Sequence, residues 1–360
     1  MSPMPEDSVS RASVVPNDRS SIPFPLLLYA VLPTVLLLTG ALAARLLLRE
    51  PGHGTQKIAL IHAFAGPLQT EGYDALTASR AGVRAETAGL PLYHGFRFVV
   101  EALDDSGTVE GATTAQRALA HDPSILRVIC CSTQTVTHAM RLLPLAAQGD
   151  ATRTAWPLVD HAPPSSYFVD TAVRILHTDH PVLIQSRVST RSRAAMNVLD
   201  AWPGTPIITY VPEQGDLPDV VASTVAEIAP DVLMLDLDAA SVARLLGPLR
   251  AMGVMAPAIG PPDIGSATLV NWLGDRLGQV YVPAITPNTI PDDLMKATMA
   301  ERGQAPSAPD VIIYWTVRRA IAEAVGDSTT RADLVEPTWV MERLDPGKFP
   351  GTVVSMPPHD

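Results

Sequence analysis

The chain has 360 residues, enough for two lobes with separate cores, and its 47% apolar and 18% charged residues are ordinary for a globular protein. Its 34 prolines and 23 glycines are too few for a disordered or low-complexity chain. The net charge of −11 argues against nucleic acid as a partner, because phosphate binding needs basic patches.

Residues 1–19 read as a disordered polar leader. The stretch 20–48 follows, uncharged as far as Ala44, rich in leucine and long enough to span a bilayer as one hydrophobic helix. Two readings fit it: an uncleaved membrane anchor, or a signal peptide cut after Ala41-Leu42-Ala43. A polar leader of about twenty residues is long for a signal peptide, which favours the anchor. Glu6, Asp7, Asp18 and Glu50 balance Arg11, Arg19, Arg45 and Arg49, so the whole −11 belongs to the body that follows. Orientation is not given by charge, since each flank of the apolar run carries two arginines.

In the body, apolar runs of strand length alternate with helical patterns. A strand at 57–62 ends in the loop 63–67, and a helix follows over 73–86. The run from Phe96 ends in Asp104-Asp105-Ser106-Gly107, which is turn chemistry. A helix at 112–120 and a strand at 125–131 come next, closing on Ser132, Thr133, Gln134 and Thr135. Strand, crossover helix and strand imply two parallel strands covered on both faces. The pattern then repeats. Strands are expected at 156–159, 181–184, 206–210, 231–235, 256–259 and 279–282. Helices are expected at 167–177, 193–201, 217–228, 239–252, 264–277, 292–302 and 309–325. Such alternation means doubly wound parallel sheets, an α/β fold. The region from Leu344 holds four prolines and reads as a tail lacking a final hairpin. The two cysteines, Cys130 and Cys131, are neighbours on one strand pattern, where side chains point to opposite faces. Two small buried thiols are therefore expected, with no metal-ligand spacing.

The strand, Asp-Asp-x-Gly turn, alanine-rich helix, apolar strand and Ser/Thr turn of 96–137 resemble the type I periplasmic solute-binding proteins of the branched-chain amino-acid and amide group. Lys57 to Ile61 followed by Ala65-Gly66-Pro67 and Glu71-Gly72 resembles that family's first strand and Gly-Pro loop. Pro309-Asp310 to Tyr314, before Ala320 to Ala324, resembles the helix on which the chain rejoins its first lobe. The resemblance runs from about residue 57 to 341. It implies two doubly wound lobes joined by a multi-strand hinge, with 57–162 plus 284–343 as the first lobe, 163–283 as the second and 344–360 as the tail. It also implies a body outside the cytoplasm, in the periplasm or cell envelope, and an ABC permease as partner.

Ligands of such sheets collect at the carboxyl ends of the strands. The residues there are Phe64 to Gln69, Asp104-Asp105, Ser132 to Thr135, Asp160, His161, Gln185 to Arg187, Asp236 and Asp238, mostly neutral or acidic. They suit a zwitterion, with hydroxyls and a helix N-terminus for its carboxylate and one side-chain carboxylate for its ammonium. By the resemblance, Thr133 and Gln134 carry the carboxylate contacts, Asp160, His161 and Ala162 form the second ligand loop, and the second lobe's acidic residue falls at Asp236 or Asp238. Phe64 and Glu71, on either side of the Gly-Pro loop, complete the candidate ligand set. Two departures stand out: Cys130-Cys131 replace the Gly-Pro that precedes the Ser/Thr turn, and Arg187 to Thr190 replace Tyr-Gly in the second lobe. No G-x-G-x-x-G, G-x-S-x-G, P-loop or H-E-x-x-H pattern is present. The expectation is thus a non-enzyme without cofactor, binding an amino acid or amide-like solute. The alternative is an anchored receptor or scaffold using the same fold.

Overall fold

The computed structural model describes residues 54–120, 122–130, 154–155, 171–172, 176–178, 180–185, 208–210, 218–326 and 338–354. The apolar segment 20–48 lies outside them, and among the described residues no helix is long and apolar enough to cross a membrane.

The first sheet consists of β1 (Thr55–His62), β2 (Arg97–Asp104), β3 (Ile125–Cys130) and β4 (Thr154–Ala155), in the order β2-β1-β3-β4, all parallel. In β1 the period-two alternation separates two cores. Ile58 and Leu60 belong to one cluster with α1 (Gln69–Glu86) and α7 (Ala308–Val325). Ala59 and Ile61 belong to another with α2 (Val109–Leu119). Both faces of β1 are therefore buried, as a parallel sheet requires.

The contact between α1 and α7 is close because Gly82 lacks a side chain. A Cβ there would stand 2.9 Å from the Tyr314 carbonyl oxygen and 3.1 Å from Val317. Polar ties surround it. Arg318 Nε meets Glu86 Oε2 at 3.0 Å, and the Tyr314 hydroxyl donates to Asp293 Oδ2 (2.8 Å) on α6 (Asp292–Arg302).

The second sheet includes β10 (Trp339–Asp345) and β11 (Lys348–Val354) and runs β11-β10-β9-β8-β7-β5-β6. Five of its strands are parallel: β5 (Pro181–Gln185), β6 (Ile208–Tyr210), β7 (Val232–Asp236), β8 (Ala258–Ile259) and β9 (Val280–Ile285). Helices α3 (Pro218–Ile228), α4 (Ala239–Ala251) and α5 (Ala267–Leu273) supply its core with Val221, Val225, Leu246, Leu249 and Leu269. The chain leaves this sheet at Ile285, which packs in the first lobe's core. Thr286 N–H donates to the Thr338 carbonyl (2.8 Å), so the segments after β9 and before β10 run tied together at the crossing.

Two expectations are corrected. The region from Leu344 is not a tail without a hairpin. Strands β10 (Trp339–Asp345) and β11 (Lys348–Val354) form an antiparallel hairpin that extends the second sheet through β9. Pro346 and Pro350 suggested a break. Pro346 instead occupies the turn beside Gly347 (φ +68°), and Pro350 lies on β11, an edge strand, where a missing N–H costs least. The second correction concerns Cys130, which is disulfide-bonded and not a free thiol. The opposite-faces rule holds only within a strand, and β3 ends at Cys130. The chain's one other cysteine, Cys131, lies outside the described residues.

Candidate functional site

At the carboxyl end of β1 the chain turns through His62, Ala63 and Phe64 into the Gly-Pro loop and then into α1. Gly72 sets how closely α1 approaches. A Cβ there would stand 2.0 Å from the Ala63 carbonyl oxygen and 3.3 Å from His62 Nδ1, so the first turn of α1 rests directly on the strand end. Phe64 N–H donates to Asp104 Oδ1 (2.9 Å), tying the loop after β1 to the turn after β2. The Phe64 ring packs edge-on against Tyr73, with centroids 5.6 Å apart. Asp104 and Asp105 are consumed locally: they accept from Ser106 N–H (2.8 Å) and Gly107 N–H (2.8 Å), which fixes the turn into α2. His62 Nδ1 accepts from Ala63 N–H (3.0 Å), and burial pushes the imidazole down to about 4 although Asp105 opposes this.

Glu71 sits in the first turn of α1. Part of its side chain reaches solvent, but Oε1 is buried and has no hydrogen-bond partner. Burial raises its carboxyl well above the usual range. Repulsion from Asp263, Asp238, Asp74 and Asp310, in that order, raises it further. Asp238 belongs to the second lobe as the N-cap of α4, accepting from Ser241 N–H and Ser241 Oγ–H at 2.9 Å each. Asp263 lies in the 3-10 turn Pro262–Ile264, which follows β8 and packs on α7 of the first lobe. Asp74 is paired with Arg302 Nε (2.8 Å) and Gln304 Nε2 (2.9 Å). Asp310, at the third position of α7, accepts from Ser307 N–H (2.8 Å) and Ser307 Oγ–H (2.7 Å), and burial followed by repulsion from Asp74 raises it to about 7.

Of the anticipated residues, Asp238 adds to the repulsion that raises the Glu71 carboxyl. Phe64 braces the loop beside them. Asp236 ends β7, 6% exposed, in register with Gln185 at the end of β5. Ser132, Thr133, Gln134, Thr135, Asp160, His161 and Ala162 lie outside the described residues. Sequence reasoning passed over Asp263, Asp74 and Asp310. Two of these carried a signal: Asp74 follows Glu71 at a spacing of three on one helix, and Ser307-x-x-Asp310 is a capping-box pattern. Asp263, in a Pro-Pro-Asp turn, carried none.

A cavity of about 70 Å³ lies beside the crossing, lined by Pro262, Val282, Ile285, Val311 and Phe349 with Glu342. It is apolar apart from Ser307 and Glu342, so it lacks the convergent polar groups that orient a zwitterion.

No family model matches the chain, and no curated protein matches it in sequence. Solved structures do match. A leucine-binding protein from Thermotoga maritima aligns at a TM-score of 0.63 and 14% identity, over 83% of this chain and 97% of its own. The branched-chain amino-acid transporter substrate-binding protein of Streptococcus pneumoniae, solved with isoleucine, aligns at 0.64 and 15%, over 83% and 99%. A solute-binding protein of an ABC transporter from Rhodopseudomonas palustris, solved with benzoate, aligns at 0.64 and 13%, over 84% and 95%. Two mainly parallel sheets, α/β layering and near-complete coverage of these chains agree: the protein has the type I periplasmic binding protein fold.

Proposed function

We propose that the chain is an extracytoplasmic solute-binding protein that captures an amino acid or amide-like small molecule between its lobes and presents it to an ABC permease. The observation that carries this reading is the juxtaposition at the strand ends, where Glu71 of the first lobe lies within the field of Asp263 and Asp238 of the second. Ligands of open α/β sheets bind outside the carboxyl ends of the strands, and Asp236 ends β7 while the Phe64 loop follows β1. The fold shared with the leucine-, isoleucine- and benzoate-binding structures supports the same assignment. In this reading Thr133 and Gln134 hold the solute's carboxylate or amide, Asp160 to Ala162 form the opposing loop, and residues 20–48 tether the body to the membrane.

The test is thermal unfolding of the full chain against amino acids, amides, amines and aromatic carboxylates. A solute that binds only the folded state raises the midpoint as its concentration rises. A concentration-dependent rise with one class, reduced by Thr133→Ala, is the expected result. A panel that shifts nothing would overturn solute capture and favour a receptor or scaffold that uses the fold without a small ligand.

A further inference from the structure

Cys130 closes β3 and is buried, 5% exposed, in the core it shares with Ala59, Ile61, Ala112, Ala115 and Val128. On the ladder it stands opposite Ile61 of β1. Cys130 is disulfide-bonded. The chain's one other cysteine is Cys131, so a bond within one chain can only join these neighbours. Adjacent Cα atoms lie at most about 3.8 Å apart, nearer than the roughly 4.4–6.8 Å that most disulfides span. Such a bond closes a ring on the chain itself, and the peptide between the two residues loses its freedom to rotate. A disulfide gains more stability the longer the chain it closes, and here no residue lies between its ends. Its effect is therefore local. It falls where the chain passes from β3 into 132–135, the residues Ser-Thr-Gln-Thr.

We propose that Cys130 and Cys131 are bonded to each other and that this ring is a redox-dependent clasp on the start of 132–135, so that solute capture requires the oxidised protein. The solute-contacting role of 132–135 rests on the reading above; the bond itself does not. Reduction by a dithiol balances as follows. One thiolate of the reductant attacks one sulfur of the pair and expels the other, and its second thiolate then attacks the mixed disulfide. The protein gains two electrons and two protons as two thiols, and the reductant leaves as a cyclic disulfide. Burial of Cys130 slows either direction of attack. A thiolate aimed at its sulfur must pass the core residues around it. Expelling its sulfur instead places a thiolate in apolar surroundings, where thiols are weak acids and leave slowly. The folded protein thus holds the bond against mild thiols, and a compartment outside the cytoplasm provides the disulfide oxidants that form it by the reverse exchange.

The test begins with alkylation of the full chain in urea, followed by peptide mass mapping. The expected result is no label on Cys130 or Cys131, and a label on each once dithiothreitol accompanies the urea. Two labels without the reductant would overturn the bond, and so would copies of the chain linked in pairs on a non-reducing gel. The chain reduced in urea and refolded without air is then compared with the oxidised protein. Should it fail to refold, Cys131→Ala provides the same comparison with Cys130 left in place. Hydrogen exchange at 131–140 should quicken several-fold while β1 and β7 stay as they were. Unaltered exchange at 131–140 would overturn the clasp, as would an equal quickening throughout the protein. In calorimetric titration with leucine, glutamine and benzoate, any solute that binds the oxidised protein should bind the reduced one at least tenfold more weakly. Equal affinity would overturn the redox dependence and leave solute capture standing. No heat from any of the three with either form would overturn the dependence of capture on the bond, and the clasp would then stand or fall by the exchange result.

Discussion

Glycine at position 72 is required by a backbone contact, and replacing it measures how tightly the site is built. An ideal Cβ at Gly72 would stand 2.0 Å from the Ala63 carbonyl oxygen and 2.8 Å from its carbon. Neither atom is the end of a flexible side chain, so the first turn of α1 must lift from the end of β1 by more than an ångström. Overpacking of this kind costs about 1–3 kcal/mol, while alanine's helix preference returns at most about 1 kcal/mol in a helix interior and less in a first turn. Gly72→Ala is therefore expected to lose about 1–3 kcal/mol, read as a lower urea midpoint with an unchanged slope. Gly111→Ala, whose Cβ would stand 2.2 Å from the Asp105 carbonyl oxygen, should lose a similar amount at the equivalent place in α2. Thr114→Ala, on the exposed side of α2, should stay within about 0.5 kcal/mol of wild type. Because Glu71 is the neighbour of Gly72, Gly72→Ala should also weaken solute binding, whereas Gly111→Ala should not. A Gly72→Ala protein as stable as Thr114→Ala would refute the close approach of α1 to β1.

Three further substitutions test the packing and electrostatics of the lobes. Glu86→Ala strips the partner from Arg318, whose guanidinium also lies 4.9 Å over the Trp315 ring. Breaking a well-buried pair costs about 3–5 kcal/mol, and the partial exposure of Arg318 lowers the expectation to about 2–4 kcal/mol by urea unfolding. Part of that loss should return in the double variant Glu86→Ala/Arg318→Met. Leu246→Ala opens a hole in the second lobe's core and should cost about 2–5 kcal/mol, measured in the same way. Asp310 titrates near 7 when folded, against an ordinary 3.8, so the folded state holds the extra proton between those values. Its contribution to stability is complete below about pH 4 and is lost as pH rises through 7. Asp310→Asn should remove that slope from a series of urea midpoints across this range, and an unaltered slope would contradict the burial of its carboxyl.

The fold was legible because its signals are local. Runs such as Ile58 to Ile61 and Val232 to Leu235, with amphipathic helices between them, announce parallel strands covered on both faces, and the structure sets them in two such sheets. The last hairpin was not legible. Pro346 and Pro350 read as breakers, and only the position of β11 at the sheet edge makes the second of them harmless. The site was half legible. Strand ends pointed to Phe64, Asp236 and Asp238, and the Gly-Pro loop pointed to Glu71. What gives Glu71 its character is burial, and after it a set of carboxylates from α1, α4, α7 and the turn after β8. These lie up to about 240 positions apart in sequence, and nothing in a local pattern reports that they meet. The pairing of Asp74 with Arg302 and Gln304 was hidden for the same reason.

Solute capture in this fold requires two lobes that close on the ligand. Its most direct test is the distance between one spin label at Thr114, on α2 of the first lobe, and another at Val220, on α3 of the second. Both positions are exposed, and labels attached without cysteine chemistry would leave Cys130 and Cys131 intact. Pulsed electron resonance on the full chain should show a broad distribution without solute. A shorter and narrower one should appear once a solute that raises the unfolding midpoint is added. A distribution unchanged by such a solute would contradict closure of the lobes and place the bound molecule elsewhere on the protein.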